Sequence, residues 1–411
     1  MKEINETNLL EDFGYKNEYI RKILSSFLDL LKNDIGNTYY SKWLQTINLP
    51  NQSSHQNGKY KSVFVIHTTL SLIVKLLTYS ILSHLNNKPI KKTPNILSLK
   101  KFLNDIESGF IFNEFGITNM WQYDVFSWYL EAELNDELHN LIAVIKDKAT
   151  QYNINGSIDK DVIKPLYENI VSKEARYLLG EHYTPQYIAD YILNKSKEFL
   201  KNNYKSIDPT CGSGTFLLSV IKDKIKSNRI EQILDEVVGI DINPIAIITA
   251  KFNYILAIYP LMLKMGIKPN NITIPIHLQD AIFISNSIGK FDLIIGNPPW
   301  VRWSVLPEDY KYKIKSTLRD ENIFSRDTNY GGVDLNLSAL IAYKVSKDLL
   351  NKGGILSFIF PYGVINNKSY EGFRNLKFGN KTMEIKQVLL PSKPFFDGEE
   401  PVILILKEIS K

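Results

Sequence analysis

The stretch that decides the fold reads FDLIIGNPPW and occupies residues 291–300. Its first residues form a short, largely apolar run, which predicts a buried strand. Two prolines then end that strand, because proline can neither donate to a sheet nor continue a helix. The chain therefore leaves the strand in a fixed extended shape that holds the Asn297 amide and the Pro298 carbonyl beside the Trp300 ring. This arrangement suits gripping a planar group that carries an exocyclic amine.

Composition limits the classes of protein to consider. The chain has 411 residues, enough for two or three domains, with 44% hydrophobic and 23% charged residues, as in ordinary globular proteins. A net charge of +5 permits a nucleic-acid partner without pointing to one. Cys211 is the single cysteine, and the six histidines show no ligand spacing. A disulfide framework and a cysteine zinc site are therefore excluded, no metal site is predicted, and a reducing, cytoplasmic setting is expected.

The N-terminal sequence also argues against a membrane or secreted protein. Residues 1–6 are polar and acidic, so no signal peptide is predicted. The most apolar segment, Val63 to Leu85, is interrupted by His67, Lys75 and His84. We therefore expect a buried helix there and not a membrane span.

The chain changes character near residue 160. Residues 1–160 show mainly helical spacing, including residues 120–148, and Gln151 to Asp159 has the composition of a linker. Residues 161–411 alternate between strand-like and helix-like segments, which predicts a doubly wound, mostly parallel α/β sheet. The predicted strands are 205–208, 236–241, 274–279, 291–295, 354–360, 386–390 and 402–407. The last two are expected to bring an antiparallel strand into the sheet.

A glycine-rich turn follows the first predicted strand. It reads DPTCGSGTFL at residues 208–217, and Gly212 and Gly214 would let a ligand approach the backbone at the start of a helix. Leu217 stands where a dinucleotide loop has its third glycine, which counts against a pyrophosphate ligand. An ordinary strand-to-helix turn explains the same pattern.

Acidic residues end the next two predicted strands. Asp241, in GIDINP at 239–244, suits both hydroxyls of a ribose, and the same residue also has the pattern of an N-cap for the helix that begins at Pro244, so both roles are open. Asp280, in LQDA at 278–281, suits an adenine amino group, with Ile242 and either Ile282 or Phe283 against the ring, or else is a solvated loop residue. Because the carboxyl ends of parallel strands meet at one edge of a sheet, these groups together predict a binding site.

One further motif precedes the sheet. It reads GEHYTP at residues 180–185, and Thr184 and Pro185 have the pattern of a helix N-cap and a first helical residue. That structural explanation is complete in itself.

The motifs at 180–185, 208–217, 239–244, 278–281 and 297–300, in this order, resemble those of the gamma-class S-adenosylmethionine-dependent DNA adenine-N6 methyltransferases of restriction-modification systems. The resemblance spans about residues 165–411. Residues 60–165 also resemble the helical region that precedes the methylase domain in large fused restriction–modification proteins. The resemblance implies a Rossmann-like methyltransferase sheet, S-adenosylmethionine as cofactor and double-stranded DNA as substrate.

The resemblance also implies a role for each motif. The methionine end of the cofactor would contact Tyr183, Thr184 and Pro185, and its amino-acid part would contact Asp208, Gly212 and Gly214. Its ribose would bind Asp241, and its adenine would contact Ile242, Asp280 and Ala281. The target amine and base would contact Asn297, Pro298, Pro299 and Trp300. Most relatives carry tyrosine or phenylalanine where this chain has Trp300.

The implied reaction requires an extruded base. A base inside a duplex cannot reach such a pocket, so it is flipped out and held between flat groups. Trp300 is expected on one face of the base and Tyr370 on the other, with Phe373 as the alternative to Tyr370. Packing on the surface of a helix would equally explain an aromatic residue at position 370. Residues 301–335 have the length of a functional or disordered loop and are expected to form either a lid over the flipped base or a solvated loop.

Several alternatives stay open. We see no target-recognition domain after the catalytic part, so a specificity subunit, a separate chain or a missing domain is expected to choose the DNA sequence. Other readings are a methyltransferase acting on cytosine N4, RNA or a protein amide, and a non-catalytic DNA-binding or assembly subunit. A nicotinamide-dependent oxidoreductase is disfavoured by Leu217.

Overall fold

The computed structural model describes residues 1–48, 54–132, 135–158, 160–178, 183–227, 229–284, 286–318, 321, 323, 335–391 and 400–410. The chain divides into two compact units. The first consists of Met1–Ile47, Asn51–Leu178 and Asn243–Ile274, and the second of Asn48–Pro50, Leu179–Ile242 and Pro275–Lys411. This division differs from the domain boundary expected near residue 160, which stays a prediction about where the catalytic domain starts.

The first unit is mainly helical, in line with its sequence. Its α-helices are α1 (Glu6–Phe13), α2 (Glu18–Leu30), α3 (Asp34–Thr46), α4 (Ser54–Leu85), α5 (Ile96–Glu107), α6 (Asp136–Ala149), α7 (Lys164–Ile170), α8 (Lys173–Leu178) and α12 (Pro244–Lys264), with 3-10 helices at Phe110–Phe115 and Ser127–Leu130. The helical spacing across residues 120–148 becomes an α-helix only from Asp136. Before that point Trp128 and Tyr129 are fully buried in a 3-10 turn. The apolar spacing of these residues therefore reflects their burial and not an α-helix.

Two helices of this unit, α4 and α12, are long and apolar enough to cross a membrane. However, 94% and 78% of their most apolar windows are buried inside the protein. Lys75 of α4 is fully buried, and its ammonium donates to Glu107 at 2.6 Å and Asp124 at 2.8 Å. A buried ammonium with two carboxylate partners is typical of a protein interior. The buried helix expected over Val63 to Leu85 is what the structure contains.

The segment expected to be a linker is part of the first unit's structure. Tyr152–Asn153 forms strand β2, which pairs in parallel with β1 (Lys2–Glu3). The Tyr152 side chain is fully buried, and its hydroxyl donates to Asp12 Oδ2 at 2.8 Å. The linker prediction is therefore wrong at these two residues, because a pairing with the distant N-terminus gives a polar stretch an ordered place.

The described part of the second unit is built on an eight-stranded sheet. Its strands are β3 (Ser206–Asp208), β4 (Val237–Asp241), β5 (Ile276–Leu278), β6 (Phe291–Gly296), β7 (Leu350–Pro361), β8 (Lys377–Phe378), β9 (Lys381–Leu389) and β10 (Pro401–Glu408). They lie in the order β5-β4-β3-β6-β7-β10-β9-β8. Neighbours from β5 to β7 are parallel, whereas β10 is antiparallel to both β7 and β9. The predicted doubly wound, mostly parallel sheet is confirmed, and so is its antiparallel strand.

Helices cover both faces of this sheet. They are α9 (Gln186–Lys197), α10 (Thr215–Lys226), α11 (Ile233–Glu236), α13 (Glu308–Thr317), α14 (Leu337–Leu349), α15 (Gly363–Asn366) and α16 (Glu371–Arg374). Leu356 and Phe358 of β7 belong to the same apolar cluster as α14. Ser357, between them, meets α9, since Ser196 Oγ donates to Ser357 Oγ at 2.7 Å. Successive strand residues point to opposite faces, so α14 and α9 pack on different sides.

Candidate functional site

The carboxyl ends of four neighbouring strands form one edge of the sheet. In the order β5, β4, β3 and β6, they carry Asp280, Asp241, Asp208 and Asn297, each at the last residue of its strand or within two residues after it. The chain moves from β3 outward through β4 to β5, and then returns to the other side of β3 as β6. Parallel sheets bind ligands at the point where the strand order reverses in this way. The predicted gathering of polar groups at this edge is therefore present.

The glycine-rich turn after β3 is held in a conformation that leaves its outer side open. Gly212 and Gly214 have φ of +52° and +95°, the left-handed region that favours glycine. Cys211 N donates to Ile240 O at 2.8 Å, which ties the turn to β4. A β-carbon on Gly212 would meet no atom within 4 Å, so its backbone is accessible to a ligand. Gly214 is the N-cap residue of α10, whose first N–H groups therefore lie at this turn.

Asp241 connects β4 to this turn. Its Oδ2 accepts a hydrogen bond from Gly212 N at 2.8 Å. The following helix is capped by Asn243, whose side chain accepts from Ile245 N. The interpretation of Asp241 as that helix's cap is therefore wrong, and its carboxylate lies instead beside the open backbone of Gly212. Ile242, the residue after it, is half-buried.

Asp280 is enclosed by its neighbours, so the alternative interpretation of this residue as a solvated loop aspartate is wrong. Its Oδ1 accepts from Ile282 N at 2.8 Å, and its Oδ2 accepts from the Tyr310 hydroxyl at 2.8 Å and from Asn48 Nδ2 at 3.3 Å. Burial raises the pKa of this carboxyl above its ordinary value, although the hydrogen bonds oppose the rise. Ala281 beside it is buried.

Asp208 lies under the glycine-rich turn. Its side chain is 1% exposed, and its Oδ1 accepts from Thr210 N at 3.0 Å. Burial, with a smaller contribution from the nearby Asp241 charge, raises the pKa of the Asp208 carboxyl well above its ordinary value. The Thr210 hydroxyl is buried and has no hydrogen-bond partner among the described residues. A buried hydroxyl in this position is a donor that a ligand in the turn can satisfy.

The first residue of α9 is fastened to the first turns of α10. Gln186 Nε2 donates to Ser219 Oγ at 2.7 Å and to Thr215 O at 3.3 Å. Helix α9 begins at Gln186, and its N-cap residue is Pro185, which makes no side-chain cap. The interpretation of Thr184 as the cap and Pro185 as the first helical residue is therefore wrong. Thr184 is buried and Tyr183 half-buried. The first three residues of this motif, 180–182, lie outside the described residues.

The motif after β6 is anchored to the neighbouring strand. The Asn297 Oδ1 is shielded from solvent, and Pro298 is buried. Pro299 and Trp300 are half-buried. The indole N–H of Trp300 donates to Ile359 O of β7 at 3.4 Å, a long hydrogen bond that fixes the direction of the ring. The structure thus holds the amide and the aromatic ring on a rigid strand end, as the sequence predicts.

The second stacking face is not where the sequence suggests it. Tyr370 is 3% exposed and Phe373 is 1% exposed, and both belong to the apolar cluster that packs around α14 and β7. A ring that is covered in this way offers no open face to a base. The packing explanation of Tyr370 therefore agrees with the structure, and its stacking role finds no support in this burial.

One residue of the candidate site, Tyr310, was not predicted from the sequence. Residues 308–317 form helix α13, where a long loop is expected, and its Tyr310 reaches Asp280. Tyr310, Ile314 and Leu318 are all buried at a spacing of four residues, which is the helical signal that was present. It is hidden among the charged residues that fill the rest of this stretch.

Comparison with known proteins agrees with this geometry. Residues 235–396 match the family described as Eco57I restriction-modification methylase. The Type II methyltransferase M.VspI of Vibrio sp. (strain 343) is 25% identical over 276 residues, which are 66% of this chain and 56% of that protein. The adenine-specific methyltransferase PglX of Streptomyces coelicolor is 32% identical over 108 residues, which are 22% of this chain and 9% of PglX. The matches thus span about half or less of these relatives.

The fold is shared with solved restriction–modification enzymes. The Type ISP restriction-modification enzyme LlaBIII bound to DNA superposes with a TM-score of 0.52 at 16% identity, over 98% of this chain and 28% of that one. The predicted resemblance to DNA methyltransferases of restriction–modification systems is therefore confirmed. The chain is therefore similar to the Eco57I restriction-modification methylases, whose family model matches its residues 235–396.

Proposed function

We propose that this chain transfers a methyl group from S-adenosylmethionine to the N6 amine of a flipped-out adenine in double-stranded DNA, as the modification component of a restriction–modification or related defence system. One observation carries the proposal. Three carboxylates and an asparagine amide, each at the end of a neighbouring strand or within two residues after it, lie along the sheet edge where the strand order reverses. The relatives M.VspI and PglX are named as methyltransferases, PglX as adenine-specific, which supports the same activity.

The residues of this edge fit the cofactor. Asp241 supplies acceptors for the two ribose hydroxyls, and Asp280 supplies one for the adenine amine. The open backbone at Gly212 and the buried Thr210 hydroxyl suit its amino-acid part, next to Thr184 and Pro185. Asp208 shapes the turn from beneath, through its hydrogen bond from Thr210 N. When bound, S-adenosylmethionine supplies a methyl group already activated by its sulfonium, so the protein needs to supply alignment and charge stabilisation.

Asn297 and Pro298 act on the target amine. The lone pair of adenine N6 is delocalised into the ring, which makes the nitrogen a poor nucleophile. The Asn297 side-chain oxygen and the Pro298 carbonyl accept hydrogen bonds from its two N–H groups, which favours a pyramidal nitrogen and stabilises the positive charge that develops on it. Because both acceptors follow a rigid strand, and Pro299 restricts the backbone after them, they are held in place before the reaction.

Trp300 stacks on the flipped base. Its indole is anchored to β7 through Ile359 O, so one face of the ring is presented without loss of side-chain freedom on binding. A second ring is required to complete the clamp. Tyr370 serves in that role only after a rearrangement that uncovers it.

DNA is the substrate, and a further component selects its sequence. LlaBIII, which shares the fold, is a restriction–modification enzyme bound to DNA. A specificity subunit, a separate chain or a recognition domain beyond the motifs described here supplies the base readout, because these motifs recognise an amine and not a sequence. The cytoplasm is the compartment in which such a protein meets chromosomal DNA.

The decisive experiment is methylation of mixed DNA by the purified chain, with and without the products of the neighbouring genes, followed by base-resolved sequencing. We expect N6-methyladenine at a defined sequence when the partner is present, and weak or absent methylation without it. Robust site-specific methylation by the chain alone would contradict the need for a partner. Methyl groups on cytosine N4, RNA or a protein amide would contradict the proposed acceptor, and binding of DNA without turnover would indicate an assembly subunit.

A further inference from the structure

Helix α13 contributes a side chain to the adenine end of the candidate cofactor site. The Tyr310 hydroxyl donates to Asp280 Oδ2 at 2.8 Å. The helix is held against the second unit's core by Tyr310, Ile314 and Leu318, which are all buried. Tyr310 also meets the Phe283 ring edge to face, with the ring centroids 5.8 Å apart. The hydroxyl is therefore fixed in position by the packing of its own ring.

The hydrogen bonds already made by Asp280 determine what remains for a ligand. An ionised carboxylate has about four acceptor positions, two on each oxygen. On Oδ2, one is taken by Tyr310 and one by Asn48, whereas Oδ1 accepts only the Ile282 amide among the described residues. The remaining position on Oδ1 is the one left for an exocyclic amine. Rotation of the carboxylate away from this orientation would break the Tyr310 hydrogen bond.

Tyr310 also affects the charge of Asp280. Burial raises the pKa of the Asp280 carboxyl, and a protonated carboxyl is a weaker acceptor for an amine. The hydrogen bonds from Ile282 N, Tyr310 and Asn48, together with the nearby charge of Lys313, act in the opposite direction. The hydroxyl therefore helps to keep an acceptor charge in a place where burial opposes it.

We propose that Tyr310 is a positioning residue of the cofactor site, whose hydroxyl orients the Asp280 carboxylate so that its free oxygen lone pair recognises the exocyclic amine of the cofactor's adenine. The inference rests on the proposed function, because it assigns an S-adenosylmethionine pocket to this edge of the sheet. This role makes α13 a determinant of selectivity for adenine over other purines. The helix lies after the 297–300 motif in the chain and outside all the cofactor motifs.

The test compares two ligands that differ in the amine alone. Calorimetry measures the dissociation constants of S-adenosylhomocysteine and of its 6-deamino analogue, in which hydrogen replaces the amine. Wild type, Tyr310→Phe and Tyr312→Phe are compared. Tyr312 lies on the same helix and is 75% exposed, which makes it the matched control. Tyr310→Phe keeps the ring, and therefore the packing against Phe283, and removes the hydroxyl alone.

We expect wild type and Tyr312→Phe to prefer the amine-bearing ligand by about tenfold or more, the usual effect of a hydrogen bond to a charged group. Tyr310→Phe should lower that preference by about threefold or more, and bind the 6-deamino analogue as wild type does. Its affinity for S-adenosylhomocysteine should also begin to fall at a higher pH than in wild type, because the pKa of Asp280 rises further without the hydroxyl. A packing defect alone would move neither the ratio nor the pH profile.

The possible outcomes distinguish a wrong role for Tyr310 from a wrong proposed function. An unchanged preference and pH profile in Tyr310→Phe, or an equal loss of both ligands, would overturn the role of Tyr310 and leave the proposed function in place. If wild type binds neither ligand, the cofactor pocket itself is wrong. The preference is a ratio within one protein sample, so a partly unfolded variant gives the same answer as a fully folded one.

Discussion

Gly296, the last residue of β6, lies against the carboxylate of Asp208, the last residue of β3: a β-carbon on Gly296 would be 2.5 Å from Asp208 Oδ1. Any other residue at position 296 would have to displace a buried carboxylate that also holds the glycine-rich turn through Thr210 N. The end of β6 and the glycine-rich turn therefore depend on each other through this contact.

We expect Gly296→Ala to lower the melting temperature by roughly 3–10 °C, the effect of overpacking by about 1–3 kcal/mol in a unit of this size. Affinity for S-adenosylhomocysteine should fall with it, because Asp208 moves. The matched control is Gly363→Ala, whose β-carbon would meet no atom nearer than 3.9 Å. Equal melting temperatures for the two variants would show that the contact is not restrictive.

Replacing Asn297 should separate catalysis from cofactor binding. Asn297→Ala removes one acceptor for the target amine, and we expect kcat to fall by about 10²–10³-fold, the usual cost of losing one preorganised group that stabilises developing charge. The dissociation constant of S-adenosylhomocysteine should stay within about twofold. Methyl transfer from labelled cofactor and calorimetry measure the two quantities. Asn297→Asp keeps an acceptor oxygen and should lose less activity, and an alanine variant as active as wild type would exclude the proposed role.

Asp208 should make stability depend on pH. Its pKa is raised by burial, so the stability that its protonated form contributes is present below the carboxyl's ordinary pKa and is lost as pH rises through the raised value. Asp208→Asn removes this loss, and we expect a melting temperature above that of wild type at pH 8, by about 2–4 °C for each 1 kcal/mol. The difference should shrink as pH falls toward 4. Calorimetric melting across this pH range checks the sign, and a variant less stable than wild type at pH 8 would contradict it.

The Trp300 ring should matter more than its N–H group. Trp300→Ala removes a stacking surface, which is worth about 1–3 kcal/mol per base, and should lower kcat/KM for DNA by about tenfold or more. Trp300→Phe keeps a flat face while losing the long hydrogen bond to Ile359 O, so we expect a decrease within about threefold. Fluorescence of 2-aminopurine at the target position, measured with each variant, reports whether the base still leaves the stack. Equal losses in both variants would assign the effect to the hydrogen bond instead.

Local sequence patterns were sufficient wherever a strand carries its own signal. The apolar runs that end in Asp208, Asp241 and Gly296 locate β3, β4 and β6 to within about a residue at each end, and the polar residues after them mark the site edge. These features follow from burial and from the loss of sheet pairing at a proline or glycine, which are properties of a few adjacent residues.

Features that depend on distant partners could not be predicted in this way. Tyr152 becomes part of a strand only because Lys2 lies beside it, and Tyr310 becomes part of the site only because α13 folds back toward Asp280. Tyr370 stands in a polar stretch that suggests an accessible aromatic residue, yet packing around α14 buries it. In each case the deciding contact joins residues far apart in the chain, so no local pattern contains it.

The position of β10 has a consequence for how the second unit is made. Residues 401–408 lie between β7 and β9, so β7 has no neighbour on that side until Glu408 has left the ribosome. At ordinary rates of synthesis this leaves roughly 2–10 s between the emergence of Pro361 and that of Glu408. During this interval the nascent chain presents the bare edge of an apolar strand, which is the surface on which two chains made from one messenger can join, and which a chaperone would have to cover.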